Sequence, residues 1–220
     1  MYITSSSEQL QIRQSVLLQS QQHNYRIMTL PLRQPSDSAS VLQSLKFSFR
    51  LGDPHHAAHD NHYRYALPYK KGKSYRLIQG FYGSYSHSEA HSVYALDFAM
   101  PVGDTICAAR PGQVVWVVER FSKGQPDEAL LDKANQVVVM HADGSLAFYS
   151  HIQQDGSLVK IGEQVATGQA IATSGHTGYS SQPHLHFVVR VPTEETLAAV
   201  PVRFGRLPRV LKTGRYYHKK

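Results

Sequence analysis

The sequence predicts a mainly β protein, an antiparallel sheet or barrel-like sandwich preceded by a small N-terminal β subdomain. Between residues 94 and 191, seven short segments rich in Val, Ile and aromatic residues alternate with turn residues, which is the pattern of an all-β sandwich or barrel. The pair Asp143-Gly144 between two of these segments is typical of a hairpin turn. Residues 125–135 have a locally helical pattern. We expect them to form a segment that leaves the sheet between two strands.

The N-terminal part has a less regular pattern. The first seven residues predict a tail, and residues 8–20 fit either a short helix or a strand. From residue 24 onward, short β-prone segments are split by Pro, Asp and Gly. We therefore expect an N-terminal β-rich accessory region at 1–79, a main domain at 80–200 and a basic, exposed C-terminal tail at 201–220.

The charge balance indicates the kind of surface that the protein contacts. The chain has 23 Lys and Arg against 16 Asp and Glu, a formal charge of +7, which favours anionic partners. Anionic cell-envelope polymers or outer-leaflet lipid fit this charge. No base-reading motif or aromatic platform accompanies it, so no nucleic-acid partner is expected.

Other bulk features narrow the class of protein. The single cysteine, Cys107, excludes an internal disulfide, and its apolar surroundings predict a buried, inert thiol. No apolar run is long enough to cross a bilayer, so no transmembrane segment is expected. The N-terminal residues lack the basic stretch and apolar centre of a signal peptide.

The segment PHLHF at residues 183–187 places two histidines in an apolar strand. Successive side chains of a strand point to opposite faces, so His184 and His186 share one face while Leu185 and Phe187 share the other. Two imidazoles are therefore expected side by side on a surface whose reverse side is hydrophobic.

Two more polar residues interrupt apolar strands. Asp97 lies in YALDFAMP and His151 in LAFYSHI, and a buried carboxylate must be paired, hydrogen-bonded or bound to a metal. Each alone fits a satisfied core residue as well as a site. Together with His184 and His186, however, they offer the ligands that zinc prefers, and a catalytic zinc site uses three protein ligands plus a water.

Three blocks of the sequence carry a resemblance to a known family. These are SHSEAHSVYALDFAMPVGDTICAARPGQVV, NQVVVMHADGSLAFYSHI and VKIGEQVATGQAIATSGHTGYSSQPHLHFVV, in this order. They closely resemble the lysostaphin-type, or LytM-like, zinc endopeptidases of bacterial cell walls, from about residue 79 to residue 191. The resemblance implies the lysostaphin/LytM type of β fold and identifies 80–200 as the endopeptidase domain.

The resemblance also implies a role for each polar residue. Asp97 and His186 correspond to zinc ligands, and His151 and His184 to catalytic residues beside the metal that carry protons and stabilise the transition state. In the commonest form of the motif the third ligand is a histidine four residues before the aspartate, where this chain has Val93. The chain instead resembles a subgroup with a longer loop before the metal-binding Asp.

The third zinc ligand is therefore assigned within this loop. His87 matches the SH pair that precedes the aspartate in this subgroup, and it is our prediction for the ligand. His91, which lies nearer to Asp97 in the sequence, is the alternative. The histidines of the DPHHAAHDNH stretch lie outside the family's blocks, and their turn-rich surroundings predict a solvated loop.

The resemblance implies a zinc-dependent endopeptidase that hydrolyses cross-links or stem peptides of bacterial peptidoglycan. The alternative is a catalytically inactive module of the same fold that binds the cell wall or activates another wall hydrolase. Because the substrate lies in the wall, we expect a periplasmic or cell-surface location. The N-terminal region is expected to cover or extend the substrate groove.

Overall fold

The computed structural model describes residues 2–7, 12–17, 43 and 45–220. These residues form many short strands and one turn of 3-10 helix at Glu128–Leu130. The strands are β1 (Tyr2–Ser7), β2 (Ile12–Leu17), β3 (Lys46–Arg50), β4 (Arg64–Tyr65), β5 (Ser74–Gln79), β6 (Leu96–Phe98), β7 (Thr105–Cys107), β8 (Gly112–Val118), β9 (Gly124–Gln125), β10 (Gln136–Met140), β11 (Leu146–Ser150), β12 (Ile152–Ser157), β13 (Gln164–Val165), β14 (Ala170–Ser174), β15 (Gly178–Tyr179), β16 (Leu185–Pro192), β17 (Leu197–Val200), β18 (Arg203–Phe204) and β19 (Tyr216–His218).

A nine-stranded antiparallel sheet organises the molecule. Its strand order is β13-β8-β10-β11-β16-β6-β5-β19, and β17 also pairs with β16. Smaller sheets join β2-β1-β3 and β12-β14-β7, and two parallel pairs join β15 to β9 and β18 to β4. The predicted mainly β, antiparallel fold is confirmed. The large sheet is open, however, and does not close into a barrel.

The apolar periodicity of the central strand positions the site. Leu185, Phe187 and Val189 of β16 are completely buried in the main core. Because side chains alternate along a strand, His184 and His186 face the opposite side, as expected. The burial of the apolar residues of β16 thus determines the face from which the two imidazoles project.

Two local predictions are confirmed. The Asp143-Gly144 turn joins β10 and β11 in an antiparallel hairpin, and Gly144 has a φ of +79°, a left-handed conformation that glycine adopts without strain. The locally helical stretch contains the 3-10 helix, between β9 and β10. Among the described residues, no helix is both long enough and apolar enough to span a membrane.

The two chain ends differ from expectation. β1 occupies the stretch expected to be a tail, and β2 makes residues 12–17 of the ambiguous segment a strand. At the other end, β19 pairs with β5, and Tyr217 is buried, so the expected exposed tail is wrong there. The β-prone segment from residue 24 lies outside the described residues.

The expected division into three regions stays a prediction. The nine-stranded sheet runs across both proposed boundaries, since β5 lies before residue 80 and β19 after residue 200. Burial alternates along β19, since Tyr217 is buried between the exposed Tyr216 and His218. This alternation is typical of a strand with one face on the core.

A buried histidine away from the site predicts a loss of stability in mild acid. His141 is 3% exposed, its Nδ1 donates to the Pro111 carbonyl at 2.9 Å, and burial lowers its pKa to about 4. The unfolded chain, with a histidine pKa of about 6.5, therefore binds more protons between about pH 6.5 and 4. Folding stability should fall as pH drops through this window, by up to about 3 kcal/mol from His141.

Thermal melting at pH 7 and pH 5 tests this prediction. The His141→Asn variant, which does not titrate in this range, should lose less stability than the wild type between these two pH values. The exposed His62→Asn serves as the matched control and should keep the wild-type difference. An equal pH dependence in wild type and His141→Asn would contradict the prediction.

Candidate metal centre

His186 and Asp97 meet because their strands pair. β16 and β6 are antiparallel neighbours, and the register places His186 directly opposite Asp97. Side chains of such a pair project from the same face within a few ångströms of each other. His186 Nδ1 lies 2.8 Å from Asp97 Oδ1. Sheet register alone therefore brings two of the predicted zinc ligands into contact.

His87 reaches the same carboxylate from the loop between β5 and β6. Its Nδ1 donates to the Gly80 carbonyl at 2.9 Å, which leaves the Nε2 lone pair free. That Nε2 lies 3.2 Å from Asp97 Oδ2 and is fully buried with no hydrogen-bond partner among the described residues. A buried nitrogen lone pair that has no hydrogen-bond partner and lies beside a carboxylate is the arrangement expected of a metal ligand.

The three side chains fit zinc. One ligand atom each from His87, Asp97 and His186 lies within 4.8 Å of the others. Ligand atoms around a tetrahedral zinc ion, with bonds of about 2.0–2.1 Å, are about 3.3 Å apart. Two nitrogens and one carboxylate are also a common zinc donor set that leaves a fourth position open.

The electrostatics favour the metal-binding forms of Asp97 and His186, whereas the Asp97 carboxylate, outweighing burial, raises the pKa of His87. Burial by itself raises the pKa of Asp97, but the adjacent His186 and His87 hold that pKa well below its ordinary value. Burial lowers the pKa of His186, although Asp97 opposes this. Asp97 is thus a carboxylate at neutral pH, as metal binding requires.

His151 lies beside this group at a break between two strands. Its sequence pattern predicted a strand residue, but β11 ends one residue before it and β12 begins one residue after it. The backbone at His151 has a φ of +64°, a left-handed conformation that is uncommon outside glycine and marks functional or strained positions. This turn directs the imidazole toward the ring of His184, with centroids 4.5 Å apart.

The rings of His151 and His184 are oriented by carbonyl groups. His151 Nδ1 donates to the Thr177 carbonyl at 2.6 Å, and His184 Nδ1 donates to the Gln182 carbonyl at 2.8 Å. Nδ1 of each ring therefore carries a proton, and in the neutral form of the imidazole the lone pair is on Nε2. His184 Nε2 lies 3.9 Å from Asp97 Oδ1. Burial, followed by the charges of His184 and His186, lowers the pKa of His151 to about 3.

A cavity of about 150 Å³ opens onto these residues. Tyr85 and Tyr179 stand on its wall with their rings stacked 5.8 Å apart. Hydroxyl and amide groups also line it, and its full polar lining comprises Gln79, Tyr85, Ser86, Asp97, His151, Tyr179, Ser180, Ser181, Gln182, His184 and His186. The cavity therefore offers a peptide both hydrogen-bonding groups and the histidine–carboxylate cluster.

The alternative ligand, His91, lies elsewhere. It is exposed and lines a different groove, together with Arg190 and Glu195. Its carbonyl accepts a hydrogen bond from Arg190 Nε at 2.7 Å. Among the described residues, His87 thus lies with Asp97 and His186, and His91 does not. The histidines at 55, 56 and 62 are exposed, which agrees with the expected solvated loop, whereas His59 is half-buried and its Nε2 lies 3.3 Å from the Tyr65 hydroxyl.

Sequence reasoning missed two residues that hold the cluster in place. Gln79 Nε2 donates to Asp97 Oδ2 at 3.0 Å, and the Thr177 carbonyl orients His151. Gln79 is opposite Asp97 in the β5–β6 register, a relation that cannot be read without knowing which strands pair. Thr177 acts through its backbone, so its residue type carries no signal.

Comparison with known proteins gives a family match. The sequence pattern described as Peptidase family M23 matches residues 91–198. The match includes four of the predicted site residues, Asp97, His151, His184 and His186, whereas His87 precedes it.

The chain is similar to several named proteins. It is 40% identical over 91 residues to the peptidoglycan DD-endopeptidase ShyC of Vibrio cholerae, covering 41% of this chain and 18% of ShyC. It is 33% identical over 135 residues to lysostaphin of Staphylococcus simulans, covering 60% of this chain and 23% of lysostaphin. It is 36% identical over 95 residues to the murein hydrolase activator NlpD of Salmonella dublin, covering 43% of this chain and 22% of NlpD.

The solved catalytic domain of lysostaphin is also similar, with 27% identity and a TM-score of 0.41 over 58% of this chain and 87% of that domain. The chain spans less than a quarter of the length of each of the three curated relatives. The resemblance to lysostaphin-type proteins is confirmed by these matches. Residues 91–198 of this chain accordingly match Peptidase family M23.

Proposed function

We propose that the chain is a zinc-dependent endopeptidase that hydrolyses peptide bonds in the cross-links or stem peptides of bacterial peptidoglycan. The observation that carries this proposal is the buried group of His87, Asp97 and His186, with the oriented rings of His151 and His184 beside it. The similarity to ShyC and lysostaphin supports peptidoglycan as the substrate.

A zinc ion held by His87, Asp97 and His186 would polarise the scissile carbonyl and make water a good nucleophile near neutral pH. The protein contributes proton transfer. Neutral His151, with its lone pair on Nε2, accepts a proton from the attacking water and can return it to the leaving amine. His184, fixed by the Gln182 carbonyl, is placed to stabilise the charge that develops on the carbonyl oxygen when its Nε2 carries a proton.

Proton transfer at this site does not use a glutamate. Among the described residues that line the cavity there is none, and Asp97 is occupied by His87 and His186. The low pKa of His151 follows from its burial, and it keeps the ring neutral, with its Nε2 lone pair unprotonated, in the neutral pH range. The two histidines are therefore the groups available for proton transfer.

The same proposal implies partners and location. A substrate in the cell wall requires a periplasmic or cell-surface protein. The formal charge of +7 supports additional attraction to anionic envelope polymers, which salt would screen. The second candidate, favoured by the similarity to NlpD, is an inactive module that activates another wall hydrolase.

Digestion of purified peptidoglycan peptides tests the proposal. The zinc-loaded protein should generate new peptide ends that mass spectrometry identifies. A chelator should abolish this activity, and added zinc should restore it. The Asp97→Asn variant, which keeps the shape of the side chain but loses its charge, is the matched negative control.

Two outcomes would contradict the proposal. Cleavage that persists after complete removal of metal would exclude the proposed centre. A zinc-loaded protein that cleaves no peptidoglycan peptide, but increases cleavage by an added wall hydrolase, would instead support the activator function.

A further inference from the structure

The side chain of Gln79 connects one of the proposed metal ligands to the loop that carries another. Gln79 is the last residue of β5. Its Nε2 donates to Asp97 Oδ2 at 3.0 Å and to Ser86 Oγ at 2.8 Å. Its Oε1 accepts from the backbone N–H of Tyr85 at 3.1 Å. A single amide thus makes three hydrogen bonds across the base of the cavity.

These contacts permit only one orientation of the amide. A reversed amide would place Oε1 against the Asp97 carboxylate and Nε2 against the Tyr85 N–H, so that two acceptors and two donors would face each other. A carboxylate or an apolar side chain at this position could not satisfy both partners. The hydrogen-bonding pattern therefore requires the donor and acceptor that glutamine combines.

The bond to Asp97 restrains the rotation of its carboxylate. Oδ2 accepts from Gln79 and lies 3.2 Å from His87 Nε2, while Oδ1 lies 2.8 Å from His186 Nδ1. With one oxygen held by the amide, the carboxylate presents its two oxygens to the two histidines. Hydrogen-bond partners of this kind typically orient metal ligands.

The same amide holds the loop from residue 80 to residue 87. Tyr85 and Ser86, which it contacts, line the cavity, and His87 follows them directly. The loop also passes close to the stem of the glutamine. A Cβ added at Gly83 would lie 2.3 Å from Gln79 Cγ, so a residue without a side chain is required there.

We propose that Gln79 is a positioning residue whose amide fixes the Asp97 carboxylate and the 80–87 loop in the arrangement that receives the metal. This inference rests on the proposed metal centre. Gln79 itself is not a zinc ligand in this proposal, since its nitrogen faces Asp97 and its oxygen faces a backbone N–H.

The Gln79→Met variant tests the role because methionine keeps much of the length of glutamine but removes all three hydrogen bonds. Zinc affinity, measured by competition with a chelator, should fall about 10–100-fold, the usual effect of losing a partner of a metal ligand. In the metal-free protein, the Tyr85 amide should exchange its hydrogen faster. Gln169→Met is the matched control, since Gln169 bonds Ala166 and Glu163 away from the site; both readouts should stay at wild-type values.

A second variant disturbs the Gln79 amide by a substitution in the 80–87 loop. Gly83→Ala displaces the Gln79 side chain without removing it and should weaken zinc binding in the same direction. Unchanged zinc affinity in folded Gln79→Met or Gly83→Ala protein would overturn the positioning role. A wild-type protein that binds no zinc would instead contradict the proposed function, and unaltered Tyr85 exchange in Gln79→Met would then exclude the restraint on the loop as well.

Discussion

The His87→Ala variant should lose zinc, whereas His91→Ala should retain it. His87 supplies a buried Nε2 beside Asp97, and His91 lines a separate groove. Losing a ligand should weaken zinc affinity by more than about 100-fold, since losing only a partner of a ligand costs up to about that much. Zinc content after dialysis and chelator competition measure the difference, and peptidase activity should follow zinc occupancy.

The two variants control for each other, because each removes one imidazole from the same loop. Circular dichroism and thermal melting establish that both remain folded before zinc is compared. Retention of zinc in His87→Ala together with its loss in His91→Ala would reverse the assignment. Retention in both would remove the loop histidines from the metal centre altogether.

Replacing His151 or His184 should leave zinc bound and lower turnover roughly 10²–10⁴-fold, the usual contribution of a general acid or base. His151→Asn is the preferred variant, since asparagine tolerates the left-handed backbone found at this position and its amide can donate to the Thr177 carbonyl. His184→Asn likewise keeps a donor near the Gln182 carbonyl. Initial rates of cross-link cleavage at saturating zinc measure the loss.

The exposed His62→Ala is the control for this series and should have wild-type turnover. Full activity in His184→Asn would exclude the proposed role of His184 in catalysis. Loss of zinc in either variant would show that the residue acts through the metal ligands instead.

Much of the fold could be predicted because its signals are local. Alternating apolar residues identify β16 and its two faces, and the Asp143-Gly144 pair identifies a hairpin. The positions of β1 and β19 were not predicted, because polar or basic residues at a chain end give no indication of a pairing partner. Such strands are determined by long-range hydrogen bonds, which depend on the finished sheet.

The residues of the candidate site could likewise be predicted only in part. Alternation along the apolar segments places His184 and His186 on one face and turns Asp97 away from the main core, but only the pairing of β16 with β6 brings Asp97 and His186 together. The choice between His87 and His91 depends on the path of a loop, which residue spacing does not specify. The contribution of Gln79 depends on the β5–β6 register, and the left-handed turn at His151 depends on the change from one sheet to another.

The pairing of β19 with β5 determines where the protein can safely be shortened. Removal of residues 201–220 would take away one of the two strands that pair with β5 and leave a row of unpaired amide and carbonyl groups, the kind of exposed edge that promotes aggregation. The uncovered strand ends in the glutamine that touches Asp97. Truncated versions intended for crystallisation or enzyme engineering should therefore extend at least through His218.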